Sequence, residues 1–152
     1  MANPNTGVFP VYENQFKIGT DKENLNTIAN MTSFSVSFDN GVEEWNPFDQ
    51  GGWKARLMTA KSITISVTGQ RTVGDTGNDF VASLAFLNGR NVEATFVWVF
   101  PDGTEVSFEN AIINVKVCGS GESTKTAPLE FDVLSNGKPT VTLPTTTTTE
   151  EE

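Results

Sequence analysis

The chain has 152 residues and a formal net charge of −9, from 19 acidic and 10 basic side chains, and it contains no histidine. This length suits one domain with a substantial core. The excess of acid argues against a protein that grips nucleic acid, because such binding depends on Lys and Arg at the phosphates. It does not exclude a surface past which nucleic acid slides without sticking. The absence of His excludes Ser-His-Asp and Cys-His nucleophile systems and the usual His-bearing metal sites.

Targeting and redox signals are sparse. The single cysteine, Cys118, ends an apolar segment, which indicates a small core or rim side chain rather than a reactive thiol. The first residues have neither a basic region nor an apolar one, so we expect no signal peptide. No apolar run approaches the roughly 20 residues of a membrane-spanning helix. We therefore predict assembly in the cytoplasm, with no cofactor, no metal and no membrane insertion.

The pattern divides the chain into three parts. Residues 1–30 mix Gly, Pro and Asn with isolated apolar residues and predict an arm anchored by side chains such as Phe9 and Val11. An ordered strand of the main domain, around Phe16 to Gly19, is the alternative. Residues 31–143 carry regular patterns and form the domain. Residues 144–152 hold a run of Thr and Glu that buries nothing, so we expect a disordered tail.

Two segments alternate between apolar and hydroxyl-bearing residues, as a strand with one buried face does. In the first, Phe34, Val36 and Phe38 alternate with Ser33, Ser35 and Ser37; in the second, Ile63, Ile65 and Val67 alternate with Ser62, Thr64, Ser66 and Thr68. The hydroxyl rows lie on the side away from the core. Such a face either lines a wet channel or simply meets solvent.

The block between these strands is too long and too aromatic for a plain turn. Asp39-Asn40-Gly41 has turn chemistry and is predicted to end the first strand. A long block follows, in which residues 53–58 are a candidate irregular or edge segment that re-enters the sheet. Loops longer than about 12–15 residues are usually functional or disordered. Trp45, Phe48 and Trp53 argue against disorder, because disordered segments are poor in aromatic residues. We predict a surface that becomes buried against another copy of the chain.

The only convincing helix follows the second strand. Asp75, Thr76 and Asn78 signal its start, the apolar spacing runs to Leu87, and Gly89 fits a left-handed C-terminal cap. Further strands are predicted over 92–100, covered on both faces, and over 104–117. The turn at 101–103 joins them, and a phase shift near 109–112 predicts a β-bulge. Two last strands are predicted over 129–133 and 140–143.

Two constellations have a possible chemical interpretation. Glu43, Glu44 and Asp49 could form an acid/base or cation site, although carboxylates on an exposed loop are usually solvated charge. Trp45 and Trp53 could form a stacking platform for sugars, which makes a carbohydrate-binding β-sandwich the alternative function. Exposed Trp is equally typical of protein interfaces. The sequence contains no recognisable set of catalytic residues, so we predict that the chain is not an enzyme.

A series of strand and turn phrases carries a family resemblance. They read FSVSFDNGVEEW over 34–45, KSITISVTGQR over 61–71, GND over 77–79, WVFPDG over 98–103 and LEFDVLSNGKP over 129–139. Together they resemble the tail tube (major tail) proteins of tailed bacteriophages that infect Gram-positive bacteria. The resemblance spans roughly residues 30–140 and contains no catalytic motif.

The resemblance implies a mainly β chain: a β-sandwich with one flanking α-helix, a long inter-subunit loop and an N-terminal arm. It also implies hexameric rings, whose sheets join into an inner barrel and which stack into a conduit for DNA. Partners would be the chain itself, the tape measure protein and tail-end proteins, with DNA in transit only. The location would be the virion tail, after assembly in the host cytoplasm. By position, the interface residues would be Val42, Glu43, Glu44, Trp45, Phe48, Trp53, Phe9 and Val11, and the lumen-facing candidates Ser33, Ser35, Ser37, Ser62, Thr64 and Ser66.

Overall fold

The structure is a computed structural model and describes residues 7–144. Its elements are β1 (Gln15–Gly19), β2 (Leu25–Thr27), β3 (Met31–Trp45), β4 (Ala55–Gln70), α1 (Thr76–Ser83), β5 (Glu93–Val99), β6 (Glu105–Cys118), β7 (Pro128–Leu134) and β8 (Thr140–Thr142). Short 3-10 turns lie at Val11–Glu13, Phe48–Gln50, Leu84–Phe86 and Gly89–Val92. The mainly β architecture with one flanking helix is confirmed.

The described strands form one antiparallel sheet that folds over itself. Their order is β2-β1-β5-β6-β7-β4-β3, and β8 pairs with β6. Phe34 on β3, at one end of this order, packs edge-on against Phe16 on β1, with ring centroids 4.8 Å apart. It also packs against Trp98 on β5, at 5.6 Å. Both ends of the sheet therefore enclose one core, and the two layers of the sandwich are parts of a continuous sheet.

The core is built by residues that alternate along the central strands. On β7, Leu129, Phe131 and Val133 are buried while the residues between them are half-buried, which confirms the predicted strand. On β5, every residue from Ala94 to Val97 is buried, as predicted for a strand covered on both faces. The central position of β5 between β1 and β6 explains this burial, since neither edge nor face is left to solvent.

The β5–β6 hairpin follows its sequence signals. The Gly103 N–H donates to the Phe100 carbonyl at 3.0 Å, and Gly103 has φ of 96°, a backbone conformation that favours glycine. Farther along, Glu109 and Asn110 on β6 lie opposite the single residue Thr95, because Ala94 pairs with Ala111 and Phe96 with Phe108. Asn110 has φ of 60°. The predicted β-bulge is therefore confirmed.

The helix starts where predicted and ends earlier. The Asp75 carboxylate accepts from the Asn78 N–H at 3.0 Å and caps α1. The helix stops at Ser83, whose hydroxyl donates to the Phe80 carbonyl at 2.6 Å and thus competes with the helical hydrogen bond. A 3-10 turn follows, Leu87 is exposed, and Gly89 begins another 3-10 turn instead of capping the helix. The predicted extension to Leu87 and the Gly89 cap are wrong.

The N-terminal region divides between the two alternatives of the sequence analysis. Residues 15–27 contain β1 and β2, and Phe16 and Ile18 are buried in the core. The described residues before them have exposed apolar side chains, namely Val8, Phe9, Val11 and Tyr12. The disorder predicted for the C-terminal tail concerns residues 144–152, of which all but Pro144 lie outside the described residues, as do residues 1–6.

The predicted turn at Asp39-Asn40-Gly41 is wrong, because β3 continues through it to Trp45. Asp39 pairs with Ser62 and Gly41 with Ala60, and the Asn40 side chain accepts from Lys61 Nζ at 2.7 Å. The register then shifts by one residue before Val42 pairs with Met58. Thr59 is the additional residue of this β-bulge, and pairing continues on both sides of it. Asp39, Asn40 and Gly41 therefore remain in the ladder despite their turn propensity.

Candidate assembly surface

The predicted loop is a two-stranded arm. We define the arm as residues 39–63, with its tip at residues 46–54 between the last paired residues, Trp45 and Ala55. Strand β7 pairs with β4 only from Thr64 onward. Over most of the arm, no third strand among the described residues joins the ladder. The arm thus extends past the sheet from which it grows.

The arm exposes large apolar side chains on both of its faces. The exposed set is Val42, Trp45, Phe48, Trp53, Leu57 and Met58. Val42 lies opposite Met58 on the face that continues from Phe38, whereas Trp45 and Leu57 follow the alternation onto the other face. Trp53 is 78% exposed and Phe48 is fully exposed. Apolar surface of this extent on a single chain marks an interaction site.

The sequence analysis identified four members of this set and missed Leu57 and Met58. Both lie within residues 53–58, for which the sequence predicted only an irregular or edge segment, and in such a segment a side chain's face cannot be inferred. Their pairing with Glu43 and Val42 gives them defined faces. Residues 55–60 carry little local strand signal, because Thr59 is the only β-branched residue among them, so their faces follow from pairing with β3 alone.

An ion cluster holds the base of the tip. The Glu44 carboxylate accepts hydrogen bonds from Lys54 Nζ at 3.0 Å and from Arg56 Nε at 3.1 Å. The hydrogen bond from Lys54, together with the positive charge of Arg56, lowers the pKa of Glu44 below its ordinary value. This carboxylate is therefore occupied. Within residues 7–144, no group of three or more His, Cys, Asp or Glu side chains could hold a metal ion.

The hydroxyl rows lie together on one face. Ser35 pairs with Ser66, Ser37 with Thr64, Asp39 with Ser62 and Ser33 with Thr68. The serines of β3 and Ser62 are exposed, while Thr64, Ser66 and Thr68 are half-buried. The pattern predicted from alternation is thus a real surface, opposite the side chains that enter the core.

This surface continues across two further strands that the sequence analysis did not assign to it. Register places Glu130 and Asp132 of β7 beside Thr68 and Ser66. On β6, Asn114 pairs with Asp132, and Lys116 Nζ lies 3.2 Å from Asp132 Oδ1. We call the polar part of this surface the hydroxyl face; it comprises Ser33, Ser35, Ser37, Ser62, Thr64, Ser66, Thr68, Asn114, Lys116, Glu130 and Asp132. Register places three half-buried apolar residues on the same side, namely Ile112, Val117 and Leu134. The alternation of Glu130 and Asp132 with apolar residues along β7 was the sequence signal that could have placed these two acids on the hydroxyl face.

Two further features expose the chain to partners. Among the strands of residues 7–144, β3 pairs only with β4, so its other edge presents N–H and carbonyl groups that can pair with a strand of another chain. The N-terminal segment carries Phe9 and Val11, which are 44% and 63% exposed.

Cys118 is exposed at the end of β6, consistent with a rim position. Among the described residues, no helix has the length and apolar character needed to cross a membrane.

The three tryptophans have different environments. The Trp98 indole packs on Phe34 and Phe100, and its N–H donates to the Asn14 side chain at 2.9 Å. Trp45 and Trp53 belong to the exposed set of the arm. Only these two indoles are free to meet a partner, whether that partner is a protein or, as in the alternative function, a sugar.

Comparison with known proteins gives these surfaces a context. Among solved structures, the fold is similar to a chain in the tail of an empty gene transfer agent particle refined with C6 symmetry, with a TM-score of 0.71 at 22% identity, covering 89% of this chain and 99% of that one. A chain in the virion of a native gene transfer agent particle gives 0.68 at 22% identity, with the same coverage. A chain in the sheath–tube complex of an extracellular contractile injection system, in its extended state, gives 0.59 at 14% identity, covering 92% and 95%.

No protein of curated function matches this sequence. A family model described as phage tail tube protein matches residues 15–140. The match includes every strand from β1 to β7, the whole arm and the hydroxyl face. This protein therefore belongs to the phage tail tube protein family.

Proposed function

We propose that this chain polymerises into stacked hexameric rings that form the tail tube of a virion, through which DNA passes during ejection. The observation that carries the proposal is the arm, which extends beyond its own sheet with exposed apolar side chains on both faces. Such an element gains stability only when other subunits cover it. The C6 symmetry of one tail with a similar chain supports a hexameric ring.

Ring closure uses strand edges. The free edge of β3 pairs with a strand of the neighbouring subunit, so that the sheets of a ring join into an inner barrel. Each subunit then presents two different patches to its two neighbours, which is the heterologous contact that closes a ring. Stacking uses the arm, with Val42, Glu43, Glu44, Trp45, Phe48 and Trp53 against the adjacent ring. Phe9 and Val11 of the N-terminal segment add a second contact.

The hydroxyl face lines the lumen. Its side chains are polar and mostly short. Its acidic members Glu130 and Asp132, together with Asp39 on the same side of the ladder, outnumber its one basic residue, Lys116. A wall of this composition repels phosphate and offers DNA few attachment points. The chain thus acts as a passive conduit, without catalysis. Its partners are further copies, the tape measure protein and tail-end proteins, after assembly in the host cytoplasm.

Negative-stain electron microscopy of the purified protein at high concentration tests the proposal. We expect rings or tubes of uniform width. The double variant Trp45→Ser/Trp53→Ser should remain folded, because both side chains are exposed in the single chain, and should lose stacking. Phe86→Ser is the matched control, since Phe86 is 94% exposed but lies outside the arm.

Wild-type protein that stays monomeric at every concentration would refute the proposal. Normal tubes from the double variant would instead remove the arm from the stacking contact. A double variant that unfolds would show that the indoles stabilise the subunit itself.

A further inference from the structure

The hydroxyl face holds a single cation, and an acidic side chain is bonded to it. Lys116, which its contact with Asp132 places on this face, is the only basic residue among the members named above. Its Nζ lies 3.2 Å from Asp132 Oδ1, and the same oxygen accepts from the Ser66 hydroxyl at 2.7 Å. The side chain of Asp132 is only 16% exposed, whereas that of Lys116 is 47% exposed. The carboxylate is therefore held in place, while the lysine side chain remains partly exposed.

The backbone directs Lys116 to this position. Val115 pairs with Phe131 and Val117 with Glu130, so Lys116 is the additional residue of a β-bulge. A bulge redirects a side chain and interrupts the ordinary alternation of faces. Ser66 fixes the carboxylate from the neighbouring strand β4. Three strands, β4, β6 and β7, thus contribute to one ion pair beside the row of hydroxyls on β4.

We propose that Asp132 is a positioning residue that neutralises Lys116 and so prevents this lysine from binding the phosphates of passing DNA. The inference rests on the proposed function, because DNA meets the hydroxyl face only if that face lines the lumen. Each subunit contributes one such lysine, so a stacked tube repeats it many times along the path of the DNA. Lysines without a partner would each release counterions on meeting a phosphate, and their effects would add.

The test assembles tubes in the presence of short duplex DNA at low ionic strength, then measures the DNA that sediments with them and its protection from nuclease. Wild-type tubes should retain little DNA. Asp132→Asn tubes should retain roughly tenfold more, protected from nuclease and released by salt. Glu130→Gln is the matched control, because it removes an acid from the same face but leaves the Lys116 pair intact.

Two variants separate charge from structure. Asp132→Glu should restore low retention, and Asp132→Asn/Lys116→Gln should abolish the gain. Should Asp132→Asn fail to assemble, Asp132→Ser keeps a group that can bond to Ser66 and serves the same comparison.

Each outcome has a separate meaning. Tubes of Asp132→Asn that retain no more DNA than those of Glu130→Gln overturn the inference and leave the proposed function intact. Retained DNA that nuclease digests places the face outside the lumen and also overturns the inference. Wild-type protein that forms no tubes overturns the proposed function, and the inference with it.

Discussion

The two halves of the β3–β4 hairpin share one ladder and differ completely in burial. At the base, Ile65 and Val67 are fully buried, and Phe34 opposite Val67 packs on aromatic rings of β1 and β5. In the arm, Leu57 and Met58 occupy the same ladder and are more than half exposed. Pairing therefore continues a strand without any core beneath it. Burial depends on what the rest of the fold places under the strand, and the arm has nothing there.

Truncating one apolar residue in each half of the hairpin should give the largest difference in the free energy of unfolding. Ile65→Ala should reduce the free energy of unfolding of the isolated subunit by about 2–5 kcal/mol, because it leaves a cavity in the core. Leu57→Ala should change it by less than about 0.5 kcal/mol. Denaturant unfolding at a concentration too low for assembly measures both values. Similar losses for the two variants would mean that the arm packs on its own subunit.

A second test removes the Asn78 side chain, whose hydrogen bonds hold the residues before β3 and after β4 at the buried end of the hairpin. The buried Asn78 side chain donates to the carbonyls of Ala29 and Gln70, and it accepts from the Thr72 N–H and from Arg71 Nη1. Asn78→Ala should cost about 2–3 kcal/mol, since it leaves these buried groups without a partner. Hydrogen exchange should increase around Gln70 and remain unchanged in the arm. Faster exchange in the arm would contradict the independence of the two halves.

The smallest expected effect concerns Glu44 at the arm. The folded state lowers its pKa below 4.5, so the ion cluster favours the folded arm above that pH and loses this contribution as pH falls through the folded value. The fluorescence of Trp45 and Trp53 should therefore change below about pH 4.5. Glu44→Gln should remove this transition, whereas Glu43→Gln, the adjacent control, should retain it. A transition that is unchanged in Glu44→Gln would assign it to another group.

Local patterns were sufficient for much of the fold. Alternation predicted the strands around Ile65, Phe96 and Phe131, because a side chain's face in a strand depends only on its own position in the sequence. The Asp75 cap, the Gly103 turn and the bulge near Asn110 are likewise encoded within a few residues. The helix end was missed because the apolar spacing continues through Leu84 while the backbone changes there from α-helix to a 3-10 turn.

Local patterns did not predict the strand pairing of the candidate surfaces. The sequence placed Trp45, Phe48 and Trp53 in an exposed segment and the serines on a polar face, but it did not predict the arm's ladder. Strand pairing is a property of two segments, and Asp39-Asn40-Gly41 favours a turn until Ser62 and Ala60 lie opposite. Propensity is local, whereas pairing energy is not, and here pairing prevailed.

The sequence by itself determined the alternation of apolar and polar residues along the main strands and the position of the turn at residues 101–103. Only the tertiary structure decided that β3 curls over to meet β1 and β5, and that the arm has no core of its own. It alone brought Ser66, Lys116 and Asp132 together from three strands. The physical reason is that periodicity assigns each side chain to a face, while register and sheet curvature decide which faces meet.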